Sequence, residues 1–385
     1  MKLSKLMLSA SIAAIALVSC NKQDTTPDSK RLRTVDISIE NVVITKAAAG
    51  TKIEAGQAVV VNDFQIFLTD ASGKNEYEGK VLDGSAPAQS YWSAADLAEG
   101  PISAQFHYVD PNCTKVVAIA NMGKQLTFAE YQAVTETKIS IDEQQNSQNL
   151  VLYDAKDLEA TGNQHKDPNV DGITYVADVF KADLVMTPRV SRFEVDGFTV
   201  KFNDEPKYDE INITQIAFQN YYPETTVVEG AESGTPAIYM DNFANQAAVY
   251  TWLDTPVEGE VPWYRDYFDV TITPAAPTAD IKDADGNKAP LAYHIFSCDL
   301  VPVMVIKLTA DGQPAFLYSK GFYKDAETPV TTFEEGKIYR MSAQGEVEKD
   351  GSIPIDEDDI DPMDRCLEIT VDVVDWAVEL VYPEF

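Results

Sequence analysis

The sequence predicts a mainly β protein: two tandem antiparallel β-sandwich domains, followed by a tethered C-terminal strand. Three observations carry that prediction. Apolar and polar residues alternate in short runs along most of the 385 residues, the period expected of half-buried strands. Gly, Pro, Asn and Asp interrupt those runs at close intervals, as turns require. No helical pattern is sustained to the length of an ordinary globular helix. The chain is long for a single core, and its 45% hydrophobic and 10% aromatic content is ample for two.

The N-terminus reads as a targeting signal over residues 1–19. Lys2 and Lys5 precede a mostly apolar run from Leu6 to Val18, too short for a mature membrane span, which takes about 20 residues. The run ends Leu17-Val18-Ser19-Cys20, which resembles a bacterial lipobox, so Cys20 is the expected lipidation site. Several acyl chains on one residue, palmitate among them, suffice for stable membrane attachment. Residues 20–46 then form a lipidated propeptide containing the first strand, TVDISIENVVITK, with Val35, Ile37, Ile39 and Val43 on one parity. It ends at Lys46, followed by Ala47-Ala48-Ala49-Gly50, a small-residue loop of the kind proteases cut. By cleavage chemistry alone Arg33 is an equal candidate.

Residues 47–186 form the expected N-terminal sandwich. Phe64, Ile66 and Leu68 alternate, as do Ile102, Ala104 and Phe106, and VVAIAN is a continuous apolar run suited to a strand covered on both faces. SYWSAADLAEG and LTFAEYQAVTE read as short helices or turns. Val176, Phe180, Ala182, Leu184 and Met186 share a parity before Pro188, and Phe193 and Val195, then Phe198, Val200 and Phe202, do so after it. A domain boundary is therefore placed there, with the C-terminal sandwich at 187–346. Residues 229–277, rich in Pro and Gly, read as long loops, and Asp285-Gly286 as a hairpin turn. Residues 347–366 read as an acidic tether that does not pack. In the closing stretch, 367–385, Leu367, Ile369, Val371 and Val373 alternate with polar residues, then Trp376, Val378 and Leu380 continue on the other parity. Such a switch at Val373-Val374 calls for a bulge or a break.

Motifs for chemistry are missing. The three histidines, His107, His165 and His294, belong to no catalytic or metal motif, and His107 and His294 read as structural. Cys113, Cys298 and Cys366 have no metal-ligand spacing and read as buried thiols. DADGNK and DEDDIDPMD lack the spacing of calcium loops. No enzyme activity, cofactor or metal is expected. A net charge of −32 speaks against nucleic acid as a partner, since that needs a basic footprint.

ITKAAAG after the first strand, VVAIANMG, FEEGKIYRM and the closing ITVDVVDWAVELVYPEF together resemble the fimbrillins, the FimA-like type V pilins. The resemblance implies transthyretin-like sandwiches and a lipoprotein precursor carried to the outer membrane. A trypsin-like protease would cut between Lys46 and Ala47, where family members often carry Arg. The C-terminal strand of one copy would then fill the groove left by the first strand in its neighbour. It implies other copies and accessory pilins as partners, a fimbrium at the cell surface as the location, and adhesion as the role. A stalk subunit fits best, because the chain has both a donor strand and a cut site. An unprocessed anchor, or a surface lipoprotein whose loop aromatics bind glycans, are the alternatives. The residues themselves support strand exchange. Seven large apolar side chains in the tail, at about 1.5–3 kcal/mol each, give an upper bound on the order of 10–20 kcal/mol. On this reading, deleting residues 367–385 leaves a folded monomer.

Overall fold

The structure is a computed structural model that describes residues 33–40, 42–46, 59–73, 90–97, 104–127, 129–131, 137–146, 149–166, 176–228, 243, 245–255, 264–283, 285–289, 291–296, 300–324, 328–342, 352–360, 366–375 and 378–382. Strands dominate it, in six sheets. The chain first builds a four-stranded sheet in the order β10 (Glu159–Lys166), β11 (Val176–Val185), β1 (Arg33–Glu40) and β6 (Ala104–Val109). Beside it in sequence is a five-stranded sheet, β12 (Thr187–Pro188), β9 (Leu152–Asp157), β7 (Lys115–Ala120), β4 (Phe64–Thr69) and β5 (Tyr91–Trp92). The VVAIAN run is β7, central in that sheet and buried from Val116 to Ala120, as its unbroken apolar pattern requires.

At Arg189 the chain passes from β12 into the largest sheet. Its order is β17 (Arg265–Ile272), β15 (Ile211–Gln219), β20 (Val303–Ala310), β21 (Gln313–Tyr323), β24 (Cys366–Asp375), β22 (Lys337–Ser342), β13 (Val190–Val195) and β19 (Leu291–Phe296). Three small sheets complete the fold: β18 (Thr278–Asp280), β14 (Gly197–Lys201) and β23 (Ser352–Asp356); β16 (Glu224–Thr226) with β8 (Lys138–Ser140); and β2 (Val42–Lys46), β25 (Val378–Tyr382) and β3 (Val59–Val61). The buried faces of the four-, five- and eight-stranded sheets feed one apolar cluster, from Val35 and Phe106 through Ile119 to Phe193 and Tyr339.

The FEEGKIYRM segment shows how the turn at Arg189 is held. Phe333 packs tilted and edge-on among Phe193, Phe322 and Tyr339, and Glu335 takes an ion pair from the buried Arg189 guanidinium. Gly336 has φ +66°, and a Cβ there would lie 2.7 Å from Thr187 Cγ2, so only glycine fits. Nearby, His294 is fully buried, with Nδ1 2.6 Å from the Gln144 carbonyl, and Tyr264 donates its hydroxyl to the His294 carbonyl. His294 is thus a structural link between segments flanking the turn.

Four expectations are corrected. Residues 229–277 are not all loop: a helix spans Gln246–Asp254 and β17 follows it. The helix is capped by the Asn245 side chain and buries Val249, Trp252 and Leu253 against Ala217, Val305 and Phe316 of the large sheet. The acidic segment after 347 does pack in part. Ile353 and Ile355 are buried in β23, and Pro354 is tolerated because β23 is the edge of its sheet. Glu357, also buried, accepts the backbone N–H groups of Asn203 and Lys207 at 2.6 and 2.9 Å.

The other two concern the tail. Its first half is not a strand without a partner in its own sheet: β24 lies between β21 and β22, parallel to the first and antiparallel to the second. Without it, β21 and β22 would face each other with two unpaired edges, which a sheet avoids. Nor is there a bulge at Val373-Val374, where the register to β22 runs evenly from Lys337 opposite Asp375 to Ser342 opposite Thr370. The break falls after Asp375, and β25 begins a separate sheet at Val378. Pairing with β22 carries the backbone of β24 through the doublet whichever face each side chain takes.

Candidate functional site

The first strand of the described residues is interior to its sheet. β1 runs parallel to β11, from Arg33 opposite Asp178 to Glu40 opposite Val185. On its other side it is antiparallel to β6, with Val35 opposite Phe106 and Ile37 opposite Ala104. Alternation explains the placement. Val35 and Ile37 are 0% and 5% exposed and join Phe106, Val109, Phe180 and Leu184 in the core. Asp36 and Ser38 face outward: Gln105 donates to Asp36 Oδ1 at 2.6 Å, and Ser38 donates to Asp183. The Ser38 bond, with help from Lys181, holds the Asp183 carboxyl below its usual range.

At the head of β1, Arg33 is pinned. Its Nη1 donates to the Cys113 carbonyl at 2.6 Å and its guanidinium lies 4.4 Å from the centre of the Phe180 ring. Thr34 is buried, with Oγ1 3.4 Å from His107 Nδ1, and the His107 and His165 rings are 5.0 Å apart. The two cut candidates therefore differ. Arg33 has strands on both sides of its backbone, whereas Lys46 ends β2, an edge strand with β25 on one side.

The expected replaced strand divides in two. Val35, Ile37 and Ile39 belong to β1, Ile39 opposite Leu184, but Val43 belongs to β2, opposite Glu379. The doublet Val42-Val43 conceals this, because alternation cannot be followed through Asn41 into two adjacent apolar residues. In the tail, Leu367 and Ile369 lie opposite Ser319 and Phe322 of β21, and Val371 and Val373 opposite Met341 and Tyr339 of β22. Val378 and Leu380 lie opposite Val42 and Ile44 on one side and Val59 and Val61 on the other. Cys20, Ala47 and Trp376 lie outside the described residues. Sequence reasoning missed that β2 and β25 are partners, and nothing local to either strand signals a pairing across more than three hundred residues.

The VVAIANMG turn is structural. Asn121, at φ +62°, donates to the Val60 and Leu150 carbonyls, both at 2.7 Å, and accepts from the Asn62 N–H. Asp63 accepts the Met122 and Gly123 N–H groups at 2.9 and 2.8 Å. Burial nevertheless pushes its carboxyl up. In a shallow pocket bordered by Asn62, Asp63, Asn121 and Asn149, the Asp63 carboxylate and the Asn121 side chain are thus already engaged. Among the described residues no cluster of three or more His, Cys, Asp or Glu side chains could hold a metal ion.

No protein-family model matches the chain, and no curated protein does. Solved structures do show similarity. A fimbrilin (FimA) from Porphyromonas gingivalis W83 has 12% identity and a TM-score of 0.45, with 91% of this chain and 99% of that chain covered. A protein from Bacteroides eggerthii, provisionally described as a cell adhesion protein, has 13% identity and a TM-score of 0.47 over 93% of this chain and 100% of that one. The tip fimbrial protein Mfa3 from P. gingivalis, truncated at its C-terminus, has 10% identity and a TM-score of 0.35 over 89% and 100%.

Proposed function

We propose that the chain is a structural subunit of a type V fimbria, of the stalk, that polymerises by strand exchange and serves adhesion. It is exported as a lipoprotein acylated at Cys20, cut between Lys46 and Ala47 by a trypsin-like protease, and assembled with other copies and accessory pilins at the cell surface. The observation that carries the reading is the position of β1, interior to a sheet yet ahead of every other described strand. One cut after Lys46 separates it, together with β2, from the described strands that follow. Its departure would expose the apolar side chains it covers and leave β6 and β11 with facing rows of unpaired N–H and C=O groups, a template for an incoming strand. Donor and acceptor are different surfaces, so each added copy presents a fresh groove and the contact propagates as a filament. Loss of residues 1–46 removes more basic than acidic residues, leaving a mature subunit still more acidic than the precursor at −32.

N-terminal sequencing of subunits in assembled filaments tests this. Ala47 is the expected first residue. Filaments whose subunits keep an acylated Cys20 would overturn the reading.

A further inference from the structure

Resting on the strand-exchange reading above, we propose that only residues 376–385 of the tail pass to the neighbouring copy. β24 stays in its own sheet, and β2 holds β25 in place until the cut after Lys46 removes it.

The two halves of the tail stand in different circumstances. β24 is paired on both sides within the large sheet, to Tyr318–Tyr323 on β21 and to Lys337–Ser342 on β22. Drawing it out would part β17, β15, β20 and β21 from β22, β13 and β19, beside the buried Phe322, Ile338, Tyr339 and Met341. Filling a neighbour's gap with β24 therefore opens an equal gap at home, and each subunit gains nothing net. β25 is otherwise placed. It lies parallel between β2 and the three-residue β3, and β2 belongs to the segment that the cut removes. Once β2 has gone, Val59–Val61 is the strand partner that β25 retains among the described residues, and transfer into an eight-residue slot between β6 and β11 is a net gain of pairing.

Length and pattern agree with that assignment. Residues 376–385 span about 33 Å when extended, at about 3.3 Å per residue, against about 26 Å for the eight residues of β1. Val378, Leu380 and Tyr382 repeat the two-residue spacing of Val35, Ile37 and Ile39. A single cut would thus vacate the acceptor and release the donor together, which keeps the precursor monomeric before processing.

The test compares three full-length chains, each cut after Lys46. In the first, Ser342→Cys and Thr370→Cys, opposite each other on β22 and β24, form a disulfide that ties β24 in place, with Cys366→Ser to prevent mispairing. Antiparallel partners of this kind are within disulfide reach. The second lacks residues 376–385, and the third carries Leu380→Asp. The oxidised first chain should form SDS-resistant ladders within twofold of the rate of its reduced form, and the other two should form none while melting like the parent. If the reduced form polymerises and the oxidised form does not, β24 travels and the inference falls, but strand exchange stands. If the chain lacking 376–385 polymerises, the inference falls, and strand exchange falls with it if the oxidised first chain, with β24 tied in place, polymerises as well. Hydrogen exchange at 378–382, followed at concentrations too low for assembly, should quicken at least tenfold after the cut. Unchanged protection overturns the role of β2.

Discussion

Retention of β1 in the cut protein should depend on its buried apolar side chains, Val35 and Ile37, and hardly at all on its outward ones. Ile37 is 5% exposed, in register with Ala182 on β11 and Ala104 on β6. Ile37→Ala removes its buried methyl groups and leaves a cavity, at a cost of about 2–5 kcal/mol. In the uncut precursor this loss falls on overall stability. After cleavage at Lys46 the same loss falls on the equilibrium between bound and departed β1, because β1 is then a separate chain. At about 1.4 kcal/mol per tenfold, the ratio of departed to bound β1 should rise roughly thirty-fold to several-thousand-fold. Asp36→Ala is the control. Asp36 is partly exposed and accepts a hydrogen bond from Gln105, so its removal should change release by less than about tenfold, in line with about 1 kcal/mol for such a bond. The assay is mass-spectrometric quantification of the 20–46 fragment after size exclusion of the cut protein, with polymerisation blocked by removing residues 376–385. Equal release from the two variants would refute the claim that burial on β1 holds the groove closed.

Further outcomes follow from buried charge and from the tail. His294 is held neutral, its pKa pushed down to about 3 by burial and by the nearby Arg192 charge, against the opposing pull of the Gln144 carbonyl. The unfolded imidazole takes a proton near its ordinary value of 6.5 and the folded one only near 3. Its stabilising contribution is therefore complete above about 6.5 and is lost as pH falls through 3. Chemical denaturation across that window should show stability declining by up to about tenfold in the folding constant per pH unit, and less steeply for His294→Gln. Glu194 accepts from Arg192 Nε at 2.8 Å and from Arg340 Nε at 2.9 Å, and both Arg192 and Glu194 are buried. Glu194→Gln leaves that arginine uncompensated and should cost about 3–5 kcal/mol, read as a lower thermal midpoint. Deleting residues 367–385 takes β24 from the middle of the large sheet, so a cooperative melt like that of the parent would contradict the pairing described. Filaments of such acidic subunits should bundle more as salt is raised, and light scattering that stays flat through a salt titration would count against it.

Much of the fold was legible because burial on one face of a strand leaves a period-2 trace. Val35 and Ile37, the β7 run and the Asp285-Gly286 turn, where the Gly286 N–H donates to the Asp283 carbonyl at 3.0 Å, all sit where alternation and turn chemistry put them. The helix at Gln246–Asp254 was missed because Pro and Gly dominate its surroundings. Its signal was present in Asn245 as a cap followed by Gln-Ala-Ala, but over nine residues the helical period is too short to stand out.

The sequence by itself determined that the chain is mainly β, that its first strand carries a buried face, and that residues 367–385 are strand-forming. These follow from side-chain pattern, which is local. Only the tertiary structure decided which strands are neighbours: that β1 lies between β6 and β11, that β24 belongs to its own sheet, and that β25 pairs with β2 rather than continuing β24. Backbone N–H and C=O groups are the same at every residue, so hydrogen bonding carries no address. The partner of a strand is chosen by the whole set of faces that must be covered at once.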